Sequence, residues 1–160
     1  MKGVYKPKWE AILAYRNALS TYKETRIKTA SQGQLIIMLY NEAVRQLDQA
    51  LALMELNDSG KKDPARIEKI GKAVVKTQEI VSELMVSLDF EQGADIARNL
   101  FSLYTWFNRE LMEANIGQDA RRISTIRNLI DDLRNAWQEV VATNAAETAN
   151  REVVGLNIAG

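Results

Sequence analysis

Apolar residues recur along most of the chain at alternating spacings of three and four, the mark of helices that bury one face. Ile37, Tyr40, Val44, Leu47, Leu51 and Met54 form the first such stripe. It opens at Ser31, a good N-cap residue, with Gln34 three positions on to complete a capping box. Asp63 caps the second helix and Pro64 takes its first position, where a missing N–H costs nothing. Ile67, Ile70, Val74, Val81, Leu84 and Leu88 follow, with Thr77 occupying one turn of the stripe. The third helix is expected from about Glu91 to Asn115 and carries Ile96, Leu100, Leu103, Phe107 and Leu111. Asp119 caps the fourth, whose stripe is Ile123, Ile126, Ile130, Leu133, Trp137 and Val140. Gly33, the run Asn57-Asp58-Ser59-Gly60, Gly93 and Gly117 are the turn signals between and before these segments. No strand-like alternation competes. Four helices of roughly 23–27 residues, each about 35–40 Å long at 1.5 Å per residue, predict an all-α fold. The arrangement expected is an antiparallel up-down four-helix bundle with a short N-terminal helical arm.

The two ends differ from the bundle, which is expected over residues 29–142. Residues 1–28 hold seven Lys or Arg against two Glu, a net +5, so the remainder carries −5 although the whole chain is neutral. Within this arm Trp9, Ile12, Leu13 and Arg16 suggest a short amphipathic helix. The tail, 143–160, is small and polar with a weak apolar group of Val153, Val154, Leu156 and Ile158, and is expected to fray.

Composition narrows the chemistry. The 160 residues include no His and no Cys, which excludes Ser-His-Asp and Cys-His nucleophile systems, Cys/His zinc sites and disulfides. Glycine-rich phosphate loops are absent, so no cofactor is implied. Asp131-Asp132 falls on a solvent face without an apolar pocket to raise a carboxyl pKa. Lys61-Lys62 and Arg121-Arg122 are basic pairs at helix ends, expected to be solvated; with zero net charge they do not suggest nucleic-acid binding. No stretch nears the roughly 18 apolar residues of a membrane span. Glu10 and Arg16 interrupt the N-terminal apolar stretch, so it is not a secretory signal. The expectation is a cytoplasmic protein without enzymatic activity.

Two helices carry more apolar surface than a bundle needs. At 100° per residue, Leu35, Leu39 and Leu53 lie roughly 90–130° from the first stripe. On the third helix Phe101 and Met112 lie over about 100° from the stripe centre on one side and Trp106 on the other, with Tyr104 and Asn108 bridging to the Phe101 side. Wide-faced helices and packing of the chain's own ends account for some of this. The surplus on two helices together, beside a detachable apolar arm, favours an exposed groove that receives an amphipathic segment of another protein.

Three ordered strings then carry a resemblance. Tyr22-Lys23-Glu24-Thr25-Arg26-Ile27-Lys28-Thr29-Ala30-Ser31, leading into Met38-Leu39-Tyr40, is followed by Leu103-Tyr104, Asn108-Arg109, Leu111 and Glu113-Ala114-Asn115-Ile116. Asp132-Leu133-Arg134-Asn135-Ala136-Trp137 completes the set, and Ser87-Leu88-Asp89 followed by Gly93 adds to it. Together they resemble the FliS family of flagellar secretion chaperones over about residues 20–140. Gln32 departs from the proline usual in that family, and the arm before Tyr22 is longer than typical.

The resemblance implies a cytoplasmic, non-enzymatic chaperone that binds the disordered C-terminal region of flagellin and prevents premature polymerisation. It also implies help in delivery to the flagellar type III export gate. Tyr22 and Ile27 are then expected as a gate over the groove, and Leu35, Leu39, Phe101, Tyr104, Asn108 and Met112 as its lining. The protein is expected to be a monomer, 1:1 with its client. The rival reading is a regulatory or assembly bundle that dimerises through its outer stripes or binds a flagellar regulator through the basic arm.

Overall fold

The computed structural model describes residues 30–56 and 63–159. The arm, with its expected gate residues Tyr22 and Ile27, and the Lys61-Lys62 pair lie outside the described residues. Four helices run α1 (Ala30–Glu55), α2 (Pro64–Val86), α3 (Ala94–Gly117) and α4 (Ala120–Ala159), with no strand among the described residues. The all-α bundle expected from the periodicity is the one found.

The stripes become the core. Tyr40, Leu47, Val74, Val81, Phe107, Leu111, Ile123, Ile130 and Leu133 are fully enclosed, and Trp137 is buried among them. Thr77, the polar member of the second stripe, is also enclosed, because its hydroxyl donates to the carbonyl of Ala73 one turn back, 2.9 Å away. The caps match their residue types. Asp63 accepts from the Ala65 N–H at 3.1 Å ahead of Pro64, and Asp119 accepts from the N–H groups of Arg121 and Arg122 at 3.0 and 3.3 Å.

Several boundaries differ from expectation. α1 already includes Ala30, so Ser31 is inside the helix, and Gly33 is a buried helical residue instead of a turn. α4 does not end near residue 142 but continues to Ala159. Trp106, read as surplus surface on α3, is buried against Phe107 with ring centroids 5.8 Å apart. Arg122 is not a solvated cation: it pairs with Glu113, with Asp119 at 3.5 Å and with the buried Glu110 at 3.7 Å. A buried carboxylate in an otherwise apolar stripe needs such a partner, since an uncompensated charge there would be strongly destabilising.

The helices form a ring in which α1 packs on α2 and α4, while α3 packs on the same two from the other side. α1 and α3 therefore stand on a diagonal. What joins them is a hydrogen bond between the hydroxyls of Tyr40 and Tyr104 in the middle of the core. Along the α1/α4 seam Arg127 reaches Asp48 at 2.8 Å and Arg134 reaches Asn41 at 3.2 Å, which fixes an antiparallel register. On α1 itself Glu42 accepts from Arg45 and from Gln46. The bond from Arg45, helped by that from Gln46, holds the Glu42 carboxyl below its ordinary 4.5, at about 2. A depressed carboxyl stabilises the fold above its unfolded pKa and loses that contribution as pH falls from about 4.5 towards 2. Because the pair is near the surface, its worth is small. Glu42→Gln should lower stability at pH 7 by under about 1 kcal/mol, and in denaturant titrations the difference from the parent should shrink steadily as pH falls below about 4.5.

Candidate functional site

The structure separates the two helices that sequence reasoning assigned to one groove. Leu35 and Met38 are exposed on α1, and Leu39 is half-buried against the core. Phe101 and Met112 are exposed on α3, across the diagonal. They do not share a wall. Tyr104, expected in the lining, is only 2% exposed, and its hydroxyl is directed into the core at Tyr40. The neighbour that completes a groove with α3 is α2.

On the outer side of α3, Phe101, Thr105, Asn108, Met112 and Ile116 follow one another at spacings of four and three. On α2, Val75, Glu79, Ser82 and Val86 do the same. Since the helices are antiparallel and adjacent, the two lines face each other across a seam. Between them lies a shallow groove of about 650 Å³, lined by Val75, Gln78, Glu79, Ser82, Glu83, Val86 and Asn108. Val86 is 87% exposed and Ile116 79%, with Val75, Phe101 and Met112 each near half. Single exposed apolar residues are ordinary; here several lie along two neighbouring helices, alternating with the polar Glu79, Ser82, Thr105 and Asn108, which makes this face the candidate binding surface.

The floor of the groove is polar and held in place. Gln78 donates to the carbonyl of Asn108 at 3.0 Å, the Asn108 amide donates to the Ser82 hydroxyl at 3.3 Å, and that hydroxyl donates to the Gln78 carbonyl at 2.9 Å. The side-chain oxygen of Asn108 is left buried without a hydrogen-bond partner. An acceptor in that condition costs about 1–3 kcal/mol relative to a satisfied one.

The α2–α3 connection closes one end. Asp89 accepts from the N–H groups of Glu91 and Gln92 at 3.0 and 3.1 Å, and its carbonyl accepts from Gly93 at 2.8 Å. A Cβ on Gly93 would lie 2.9 Å from that carbonyl oxygen, so the turn requires glycine. This explains why Ser87-Leu88-Asp89 is followed by Gly93. The tight turn presents Phe90 edge-on to Phe101, with centroids 5.9 Å apart and planes at 65°.

Of the residues expected at the site, Phe101, Asn108 and Met112 are brought together. Leu35 and Leu39 are elsewhere, and Tyr104 is beneath the surface. Val75, Val86 and Phe90, exposed beside them, were not among the expected residues. Their signal was available: Val75 and Val86 share one helical face, displaced from the α2 stripe. No group of three or more acidic residues among those described could hold a metal ion, and the buried Glu110 is occupied by Arg122. No helix among the described residues is long and apolar enough to cross a membrane.

Fold and surface together define a four-helix bundle with exposed apolar residues along the α2/α3 face and a hydrogen-bonded polar floor between them. The family model for flagellar protein FliS matches residues 15–144, and the chain belongs to that family. Among similar proteins, the flagellar secretion chaperone FliS of Salmonella typhimurium (strain LT2) is 33% identical over 118 residues, which cover 73% of this chain and 82% of its own. Its counterpart in Bacillus subtilis (strain 168) is 25% identical over 129 residues, covering 81% and 90%. That of Escherichia coli (strain K12) is 30% identical over 117 residues, covering 72% and 80%.

Proposed function

We propose that this protein is a cytoplasmic, non-enzymatic chaperone of flagellar secretion that holds the C-terminal segment of flagellin along the α2/α3 groove. The observation that carries this is the apolar strip of Val75, Val86, Phe90, Phe101, Met112 and Ile116 on a protein of the FliS family. A segment that is disordered when free folds as it binds there, and the entropy it loses keeps the complex reversible enough for hand-over. Glu79, Ser82 and Glu83 between the apolar residues give polar groups of the client partners along the groove. Occupied in this way, flagellin's C-terminal segment is withheld from polymerisation until delivery to the export apparatus. Tyr22 and Ile27 act as a gate that competes for the same surface. Leu35 and Leu39, on the far side of α2, serve a client long enough to wrap beyond the groove.

Mixing the purified chain with flagellin from the same genome tests the reading by calorimetry and sedimentation. A 1:1 complex is expected with intact flagellin and none with flagellin lacking its C-terminal segment. A tight dimer of the isolated chain, indifferent to flagellin, would instead favour an assembly or regulatory bundle.

A further inference from the structure

The end of α4 is longer than the bundle needs. The contacts of Asp48 with Arg127 and of Asn41 with Arg134 place Ala30, the first residue of α1, level with about Ala145 of α4. The α2–α3 turn, around residues 87–93, closes the bundle at this same end. From there α4 continues to Ala159, projecting roughly 20 Å at 1.5 Å per residue. Residues 145–156 are all exposed.

Such a projection is a poor helix by itself. It contains Thr148, Asn150, Val153, Val154 and Gly155, all weak helix formers, and isolated helices shorter than about 12–15 residues are marginal even in favourable sequences. Its sides are unequal. At 100° per residue, Ala145, Ala149, Val153 and Leu156 continue the line of Arg127, Asp131 and Arg134, which is the face that meets α1 lower down. Past Ala30 that face has no described neighbour.

We propose that the chain's own N-terminal arm covers this face, with the apolar side of the Trp9–Arg16 segment seated on Ala149, Val153 and Leu156. Three observations select this occupant. The arm enters α1 at Ala30, beside the start of the projection. The 29 residues before it are ample to fold back along fewer than 15. The charges are opposed: residues 1–28 carry +5, whereas residues 139–156 hold Glu139, Glu147 and Glu152 against Arg151. An anchor there leaves Tyr22 and Ile27 free to act at the groove, and it does not depend on what the client is.

Hydrogen exchange on the full chain tests it. Amides of residues 146–156 are expected to be protected, and Trp9→Ser, Ile12→Ser and Leu13→Ser combined should speed their exchange at least tenfold, with α1 to α3 unchanged. Unprotected amides in the parent, or protection untouched by the triple change, would overturn the proposal. So would protection that rises with protein concentration, since a second copy would then be the cover. The lack of native cysteine allows an independent check. Leu13→Cys with Val153→Cys should form an intramolecular disulfide faster than Leu13→Cys with Met112→Cys; the reverse order would put the arm on the groove and overturn the assignment.

Discussion

Phe107→Ala should destabilise the protein by about 3–5 kcal/mol, a fall in Tm on the order of 10 °C, whereas Phe101→Ala should cost under about 1 kcal/mol. The two residues have the same chemistry, on the same helix, six positions apart. Phe107 is fully enclosed, with the rings of Trp106 and Tyr104 at 5.8 and 6.2 Å, so truncation removes apolar burial and leaves a cavity that rigid neighbours cannot fill. Phe101 is 44% exposed and has one aromatic neighbour, Phe90, itself half in solvent. Chemical denaturation of the two variants measures the difference. Equal losses would mean that Phe101 belongs to the core and that the strip on α3 is not a free surface.

The companion result concerns binding. Phe101→Asp combined with Met112→Asp should leave stability within about 1 kcal/mol of the parent and weaken flagellin binding at least thirtyfold, equivalent to about 2 kcal/mol. Each carboxylate would be desolvated against an apolar client without a partner, which is more damaging than loss of contact area alone. Leu35→Asp should weaken binding much less, because α1 lies across the diagonal from α3. Calorimetry with intact flagellin compares the three. Unchanged affinity in the double variant would remove the client from the α2/α3 face. A greater loss from Leu35→Asp would move it to α1.

These expectations show where the sequence was informative. Periodicity found the four stripes, and caps as local as Asp63 and Asp119 could be identified from residue type and position. That is so because a helix and its cap are decided within a few residues of chain. Which helices become neighbours is a different matter. The extra apolar residues of α1 and α3 looked like one groove because arc geometry assigns directions around a single helix and is silent on the order of helices around a ring. The ring order makes Val75 and Val86 of α2 the partners of Phe101 and Met112. Tyr104 was misplaced for a related reason: a tyrosine at the margin of a stripe is read as surface until a second hydroxyl, that of Tyr40, is found across the core to receive it. Arg122 was read as a solvated cation, and only its meeting with the buried Glu110 between α3 and α4 gives it a reason. The length of α4 was obscured because Asn144 to Asn150 offers no stripe to follow.

The seams of the ring are built from different forces. Among the described residues, the ion pairs that bridge helices all involve α4: Arg127 with Asp48 of α1, and Arg122 with Glu110 and Glu113 of α3. The α2/α3 seam that floors the groove is joined by neutral hydrogen bonds and apolar contact. Salt treats these differently. Near 1 M the screening length falls to about 3 Å and exposed charge pairs fade, while salts excluded from apolar surface strengthen its burial. In a salt excluded from apolar surface, such as sulfate, the bundle thus has one flank that loosens and one that tightens, and the flank that tightens is the one that carries the exposed apolar residues of α2 and α3.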